Sequence, residues 1–139
     1  MSRGLSLSIL LLAVLAVLAG LRFAQGGGGV DEGCRGVRQV YERVAFVQQS
    51  HDVPSSKVYA DAALAVRKVA VGAPAAVAAD LNGVSDAYSR LGSLLEGFDP
   101  KTPSTYHVIE DNTTAIESQQ AVIEGALPEV KSWLDARCT

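Results

Sequence analysis

Residues 73–98 read APAAVAADLNGVSDAYSRLGSLLEGF, and this stretch decides the fold. Val77, Leu81, Val84, Tyr88, Leu91, Leu95 and Phe98 follow one another at spacings of four, three, four, three, four and three. That is the heptad spacing of one helical face. Pro74 stands where such a helix would begin, because its missing N–H costs little in the first turn. The neighbouring segments are too short and too varied for an extended coiled coil. The stretch therefore predicts the central helix of an antiparallel bundle. Gly83 and Gly92 lie off the seam and each costs about 1 kcal/mol against alanine. They mark either close helix contacts or a weak helix.

Toward the N-terminus, two more helices are expected. The first spans about Cys34 to Gln49, with Val37, Val40, Tyr41, Val44 and Val47 on one face. His51-Asp52-Val53-Pro54 ends it, since Pro54 disfavours helical geometry in Val53. The second starts near Ser55 or Ser56, either a competent cap, and carries Val58, Ala62, Ala65, Val66 and Val69 on one face. Gly72 serves as its C-cap.

Beyond the seam, Phe98-Asp99-Pro100-Lys101-Thr102-Pro103 reads as a loop. A fourth helix is expected from about Ser104 to Ala126, with Val108, Ile109, Ile116, Val122 and Ile123 inward. Asn112-Thr113-Thr114 are poor helix formers and predict a bend or break there. The same three residues match an N-glycosylation acceptor, which matters only in a eukaryotic host. Leu127-Pro128 is read as the start of a short last helix carrying Val130, Trp133, Leu134 and Cys138 on one side. The fold class is thus all-α, a four- to five-helix antiparallel bundle.

Cys34 and Cys138 are the only cysteines and lie 104 positions apart, at the two ends of this bundle. An apparent export signal precedes them, so they are read as one disulfide closing the domain. In the chain-entropy model a loop of that length contributes about 4–5 kcal/mol. A redox pair would call for C-x-x-C spacing, and a metal site for a further ligand close by. The sequence offers neither at these cysteines.

Residues 1–26 carry the features of a secretory signal peptide: Arg3, an apolar run of 17 residues from Leu5 to Leu21, and small residues at Ala24 and Gly26. Retention of this run as an anchor is the alternative, although a span needs about 20 apolar residues. Leu18-Ala19-Gly20-Leu21 has the outline of a lipobox with leucine in place of the cysteine, which removes lipid attachment there. Residues 27–33 are expected to form a glycine-rich linker, and 34–139 the helical domain. Membrane contact is then limited to transient passage of the signal. Without the leader, the 12 basic residues lose Arg3 and Arg22, leaving 10 against 15 acidic residues and a formal charge of −5. With no basic cluster, nucleic acid and anionic membranes are poor candidates as partners.

Ala73-Pro74-Ala75, Asp80-Leu81, Asp86-Ala87-Tyr88, Pro128-Glu129-Val130, Trp133 and Cys138 together resemble a class of small secreted actinobacterial proteins. Members have an export signal, a cysteine opening the mature domain, and an aromatic residue shortly before a terminal cysteine. The likeness covers about half of the mature chain. It implies fold and compartment and carries over no catalytic residue. At the level of fold the chain is also similar to the small secreted mycobacterial haemophores, which hold haem through exposed tyrosine or histidine. That likeness makes Tyr88, Tyr106 and His107 candidate ligand-binding residues, with His51 a further position.

Catalytic machinery has little to build on. The only histidines, His51 and His107, fall in or beside loops. Glu110, Glu117 and Glu124 recur every seven residues, as a solvated helical stripe does. No G-x-S-x-G or S-x-x-K pattern and no phosphate-cradling glycine loop appears. The expectation is a secreted non-enzymatic domain without cofactor or metal, with a binding or structural role at or outside the cell surface and an unknown protein or small molecule outside the cell as partner. The alternative is a small-ligand or haem carrier with a pocket between the third and fourth helices.

Overall fold

Helix α1 (33–49) buries Val37, Val40 and Val44, with Tyr41 and Val47 packed at the margin of the core. A computed structural model describes residues 33–138; the expected signal peptide and all of the linker but Gly33 lie outside the described residues. Gly33, assigned to the linker from sequence, forms the first described residue of α1. The helix stops before the turn at residues 50–54, where Pro54 constrains Val53.

Helix α2 (Ser56–Gly72) buries Tyr59, Ala62, Ala63, Val66 and Ala70. The expected face is therefore rotated: Val58 is exposed, and Tyr59 takes the inward position. Alanine-rich helices show weak amphipathic contrast, so one valine misplaces the phase, while the spacing of Tyr59, Ala63, Val66 and Ala70 restores it. Ser55 is the N-cap residue, and the Ser56 hydroxyl is used elsewhere, donating to the Gly92 carbonyl at 2.6 Å. Gly72 is the last helical residue rather than a left-handed cap; the extended Ala73 before Pro74 ends the helix.

Helix α3 (Ala75–Leu94) is the centre of the molecule, packed on α2 on one side and on the last helix on the other. All seven seam residues are buried, with Tyr88, Leu91 and Leu95 at 0% exposure. The seam outlasts the helix because Gly97, at φ 83°, turns the chain so that Phe98 folds back on the core. Gly92 answers the question the sequence left open. A Cβ there would sit 3.4 Å from the Ser56 carbonyl oxygen and 3.5 Å from the Ala60 nitrogen, so α2 and α3 touch backbone to backbone. Nothing lies within 4 Å of a Cβ at Gly83. Further along the same contact, buried Ser85 donates to the Ala63 carbonyl at 2.8 Å, and Arg67 bonds both Ser85 and Asp86. These pairings run α2 and α3 antiparallel.

The loop is held by Asp99, whose carboxylate accepts from the Lys101 N–H and the Thr102 hydroxyl. Those two bonds pull its pKa below the usual carboxylate value. One 3₁₀ turn, Pro103–Thr105, leads into the short α4 (His107–Asp111). The expected break falls at Asn112. Its side-chain amide donates to the Val108 carbonyl at 2.8 Å, and the Thr113 hydroxyl donates to the Ile109 carbonyl at 3.0 Å. Side chains thus take over carbonyls at the end of α4.

Helix α5 (Thr113–Arg137) corrects the last expectation: one helix runs straight through Pro128. A proline inside a helix costs about 3 kcal/mol. The buried face Ile116, Ile123, Ala126, Val130 and Leu134 continues in register across it, and packing of that face on α3 outweighs the local penalty. Trp133 packs at the margin of the same core.

Cys34 and Cys138 are joined, with their Cα atoms 5.6 Å apart. The separation is ordinary for a disulfide. Beside it, Arg38 donates to the Cys138 carbonyl at 3.0 Å. The start of α1 is thereby fixed to the end of α5. The fold is an all-α bundle of five helices among the described residues, closed by one disulfide.

Candidate functional site

The sequence-predicted ligand residues divide between two aromatic pairs. Tyr88 is fully buried, its ring 5.6 Å from that of Tyr59. Its hydroxyl has no hydrogen-bond partner, and burial pushes its pKa well above the ordinary tyrosine value. Tyr106 belongs to the second pair, with its ring 5.6 Å from Phe98 and its hydroxyl donating to the Pro100 carbonyl. His107 follows at the start of α4, exposed, with Nδ1 2.9 Å from the Ser104 carbonyl oxygen. Tyr106 and His107 are thus bound into their own loop, while Tyr88 belongs to the core. No surface that a ligand reaches includes the Tyr88 side chain, at 0% exposure.

A concavity exists at another place. A cleft of about 260 Å³ opens where the C-terminal end of α1, the turn at 50–54, Tyr59 of α2 and the middle of α5 meet. Val47 and Gln48 come from α1, Ser50 to Pro54 from the turn, and Gln120 and Glu124 from α5. The antiparallel course of α1 and α5 creates it. Their other ends are joined by Cys34–Cys138, whereas here the turn leaves α1 and its residues border the cleft together with those of α5.

The walls are mostly polar. Asp52 and Glu124 supply carboxylates, Gln48 and Gln120 amides, and His51 an imidazole. Tyr59 borders the cleft from below but is 2% exposed, so its ring offers a ligand almost no surface. Burial raises its pKa, an effect partly offset by hydrogen bonding to Gln120, so the phenol stays protonated at physiological pH. The arrangement suits hydrogen-bonded capture of a small polar molecule. Among the described residues, no cluster of three or more His, Cys, Asp or Glu side chains is poised to hold a metal ion.

Sequence reasoning missed this site. His51 was singled out as a loop histidine and a further ligand position beside Tyr106 and His107, and Glu124 as part of a solvated stripe, but the two were not brought together. The signal that would have found it is Tyr59: the only aromatic residue on the inward face of α2, placed four residues after Ser55 and the proline turn.

Fold and site together define a disulfide-closed all-α domain with one end clamped and a polar cleft toward the other. No family model, curated protein or solved structure matches the chain. The class is therefore drawn from the molecule's own geometry. Its disulfide suits an oxidising, non-cytoplasmic environment, and none of the described helices is long and apolar enough to cross a membrane.

Proposed function

We propose that this is a secreted, non-enzymatic helical domain with a binding role at or outside the cell surface. The observation that carries this reading is the closed seam: Tyr88, Leu91 and Leu95 sit at the centre at 0% exposure, so the seam of α3 offers no surface to a ligand. Binding then falls to the surface, with a small molecule or a protein outside the cell as partner. Support for export comes from the disulfide joining the two ends of the domain.

The competing reading is a haem carrier. It needs an apolar slot large enough for a macrocycle and an exposed axial side chain. Tyr88 is enclosed, and the Tyr106 hydroxyl already donates to Pro100. Titration of the oxidised protein with haemin separates the two. We expect no shifted Soret band; a stoichiometric band that disappears in Tyr106→Ala or His107→Ala would replace this reading with the carrier.

A further inference from the structure

We propose that the outward face of α2 docks on the outward face of α5 in a second copy of this chain, so that the protein associates head to tail. The inference rests on the reading of the domain as a surface-binding module and names the partner it would take.

Charge is divided along the chain. Residues 33–72, which form α1 and α2, hold six basic residues against three acidic ones, a formal charge of +3. Residues 73–138 hold four basic against ten acidic, a formal charge of −6. Some of these charges are already paired, Lys57 with Asp61, Arg67 with Asp86 and Lys131 with Asp135. Arg43 and Lys68 in the first part, and Glu117 and Glu124 in the second, have no ion-pair partner among the described residues. Opposite halves of two copies therefore attract, while like halves repel.

The exposed apolar side chains collect on the basic half. Phe46, Val58, Leu64 and Val71 all stand on α1 or α2, and only Tyr106 and Val122 stand elsewhere among the described residues. Leu64, 68% exposed, and Val71, 84% exposed, are seven residues apart, so they lie two turns along one stripe of α2. Exposed Lys57 and Lys68 lie on the same stripe, opposite the buried Tyr59, Ala63, Val66 and Ala70. Apolar side chains set between lysines suit a partner that offers shallow gaps between carboxylates.

The outward face of α5 has that form. Glu117 and Glu124 are also seven residues apart, so both pairs repeat over about 10 Å of helix. Exposed Ala121 lies between the two glutamates, and Ser118, Val122 and Gly125 run alongside. These short side chains leave room for Leu64 and Val71 of the other copy, with Lys68 brought to a glutamate. Helices α2 and α5 flank α3, so one copy cannot close its own two faces on each other. A contact between two different patches is heterologous and continues from copy to copy. The basic groups are spaced singly along their helices, which suits spaced carboxylates better than a dense layer of lipid phosphates.

The test is sedimentation velocity of the folded, oxidised protein from about 10 µM to about 1 mM, at about 20 mM and about 500 mM sodium chloride. The mean mass is expected to rise with concentration at low salt and to fall back toward the monomer at high salt. Leu64→Ser with Val71→Ser removes one face, and Glu117→Lys with Glu124→Lys removes the other. All four side chains are exposed, so the fold stays intact. Each double variant alone should associate at least about tenfold more weakly. Mixed in equal amounts, each supplies the face the other lacks, and the pair should stop at a dimer of one copy of each. Wild-type protein that is monomeric throughout, a double variant that associates as the wild type does, or a mixture that stays monomeric would overturn the proposal. Monomeric protein that instead sediments with phosphatidylglycerol vesicles, and loses this with Leu64→Ser and Val71→Ser, would overturn it in favour of a lipid surface. If association fails while haemin also fails to bind, only this inference falls; a haemin band defeats the broader reading on its own.

Discussion

The contact between α2 and α3 and the contact between α1 and α5 solve the same problem in opposite ways. In the first, small residues bring two backbones together. Gly92 lies against Ser56 and Ala60, and Ser85 and Arg67 complete the seal. In the second, a covalent bond and the Arg38 contact hold one end, while polar side chains border a cleft toward the other. Packing alone suffices where side chains are small enough for close approach. The bundle thus has one contact sealed by small residues and another held by a cross-link, with a polar cleft toward its far end.

The largest effect should come from cutting the clamp. Cys34→Ser with Cys138→Ser is expected to lower the unfolding free energy by up to about 4–5 kcal/mol, measured by urea denaturation. A loss below about 1 kcal/mol would mean that packing already holds α1 against α5, and the contrast would collapse. The tight side is broken next. Gly92→Leu must push α2 away and should cost about 1–3 kcal/mol. If it is tolerated without loss, the backbone contact is not what seals that side.

Tyr88→Phe sharpens the comparison at the point where the two sides meet. The ring stays and only an unpaired hydroxyl goes, so thermal stability should rise by about 1 kcal/mol at neutral pH. The pH dependence follows from the same burial. The folded-state pKa of Tyr88 is raised above its ordinary 10.0, so the unfolded chain gives up this proton first. The stability tied to the neutral phenol is complete below about pH 10 and is lost as the pH climbs past it. Tyr88→Phe should flatten that alkaline limb in a stability–pH profile, and an unchanged limb would show that Tyr88 does not govern it. The smallest effect is Gly83→Ala, a gain of about 1 kcal/mol or less, because nothing lies within 4 Å of the added methyl. A loss there would reveal a contact on the supposedly open flank of α3.

Much of the architecture was legible because α3 carries strong periodicity. Seven large apolar residues fixed its inward face, and every one is buried. The break at Asn112 was also readable, since short polar side chains compete for backbone carbonyls. The phase of α2 was not, because alanines pack inward without standing out. The length of α5 was misjudged at Pro128, where tertiary packing overrides a local breaker. The cleft was least legible. It draws on the end of one helix, a turn, and the middle of another about 70 residues away, between Asp52 and Glu124. Their proximity depends on the antiparallel course of α1 and α5, which spacing along the chain does not encode.

The joined ends of the bundle are tested most directly by peptide mapping of the natively folded protein under non-reducing conditions, together with a count of thiols that react after denaturation. Recovery of a single cross-linked peptide containing Cys34 and Cys138, with no reactive thiol, is the predicted result. Two free thiols in the natively folded protein would contradict it.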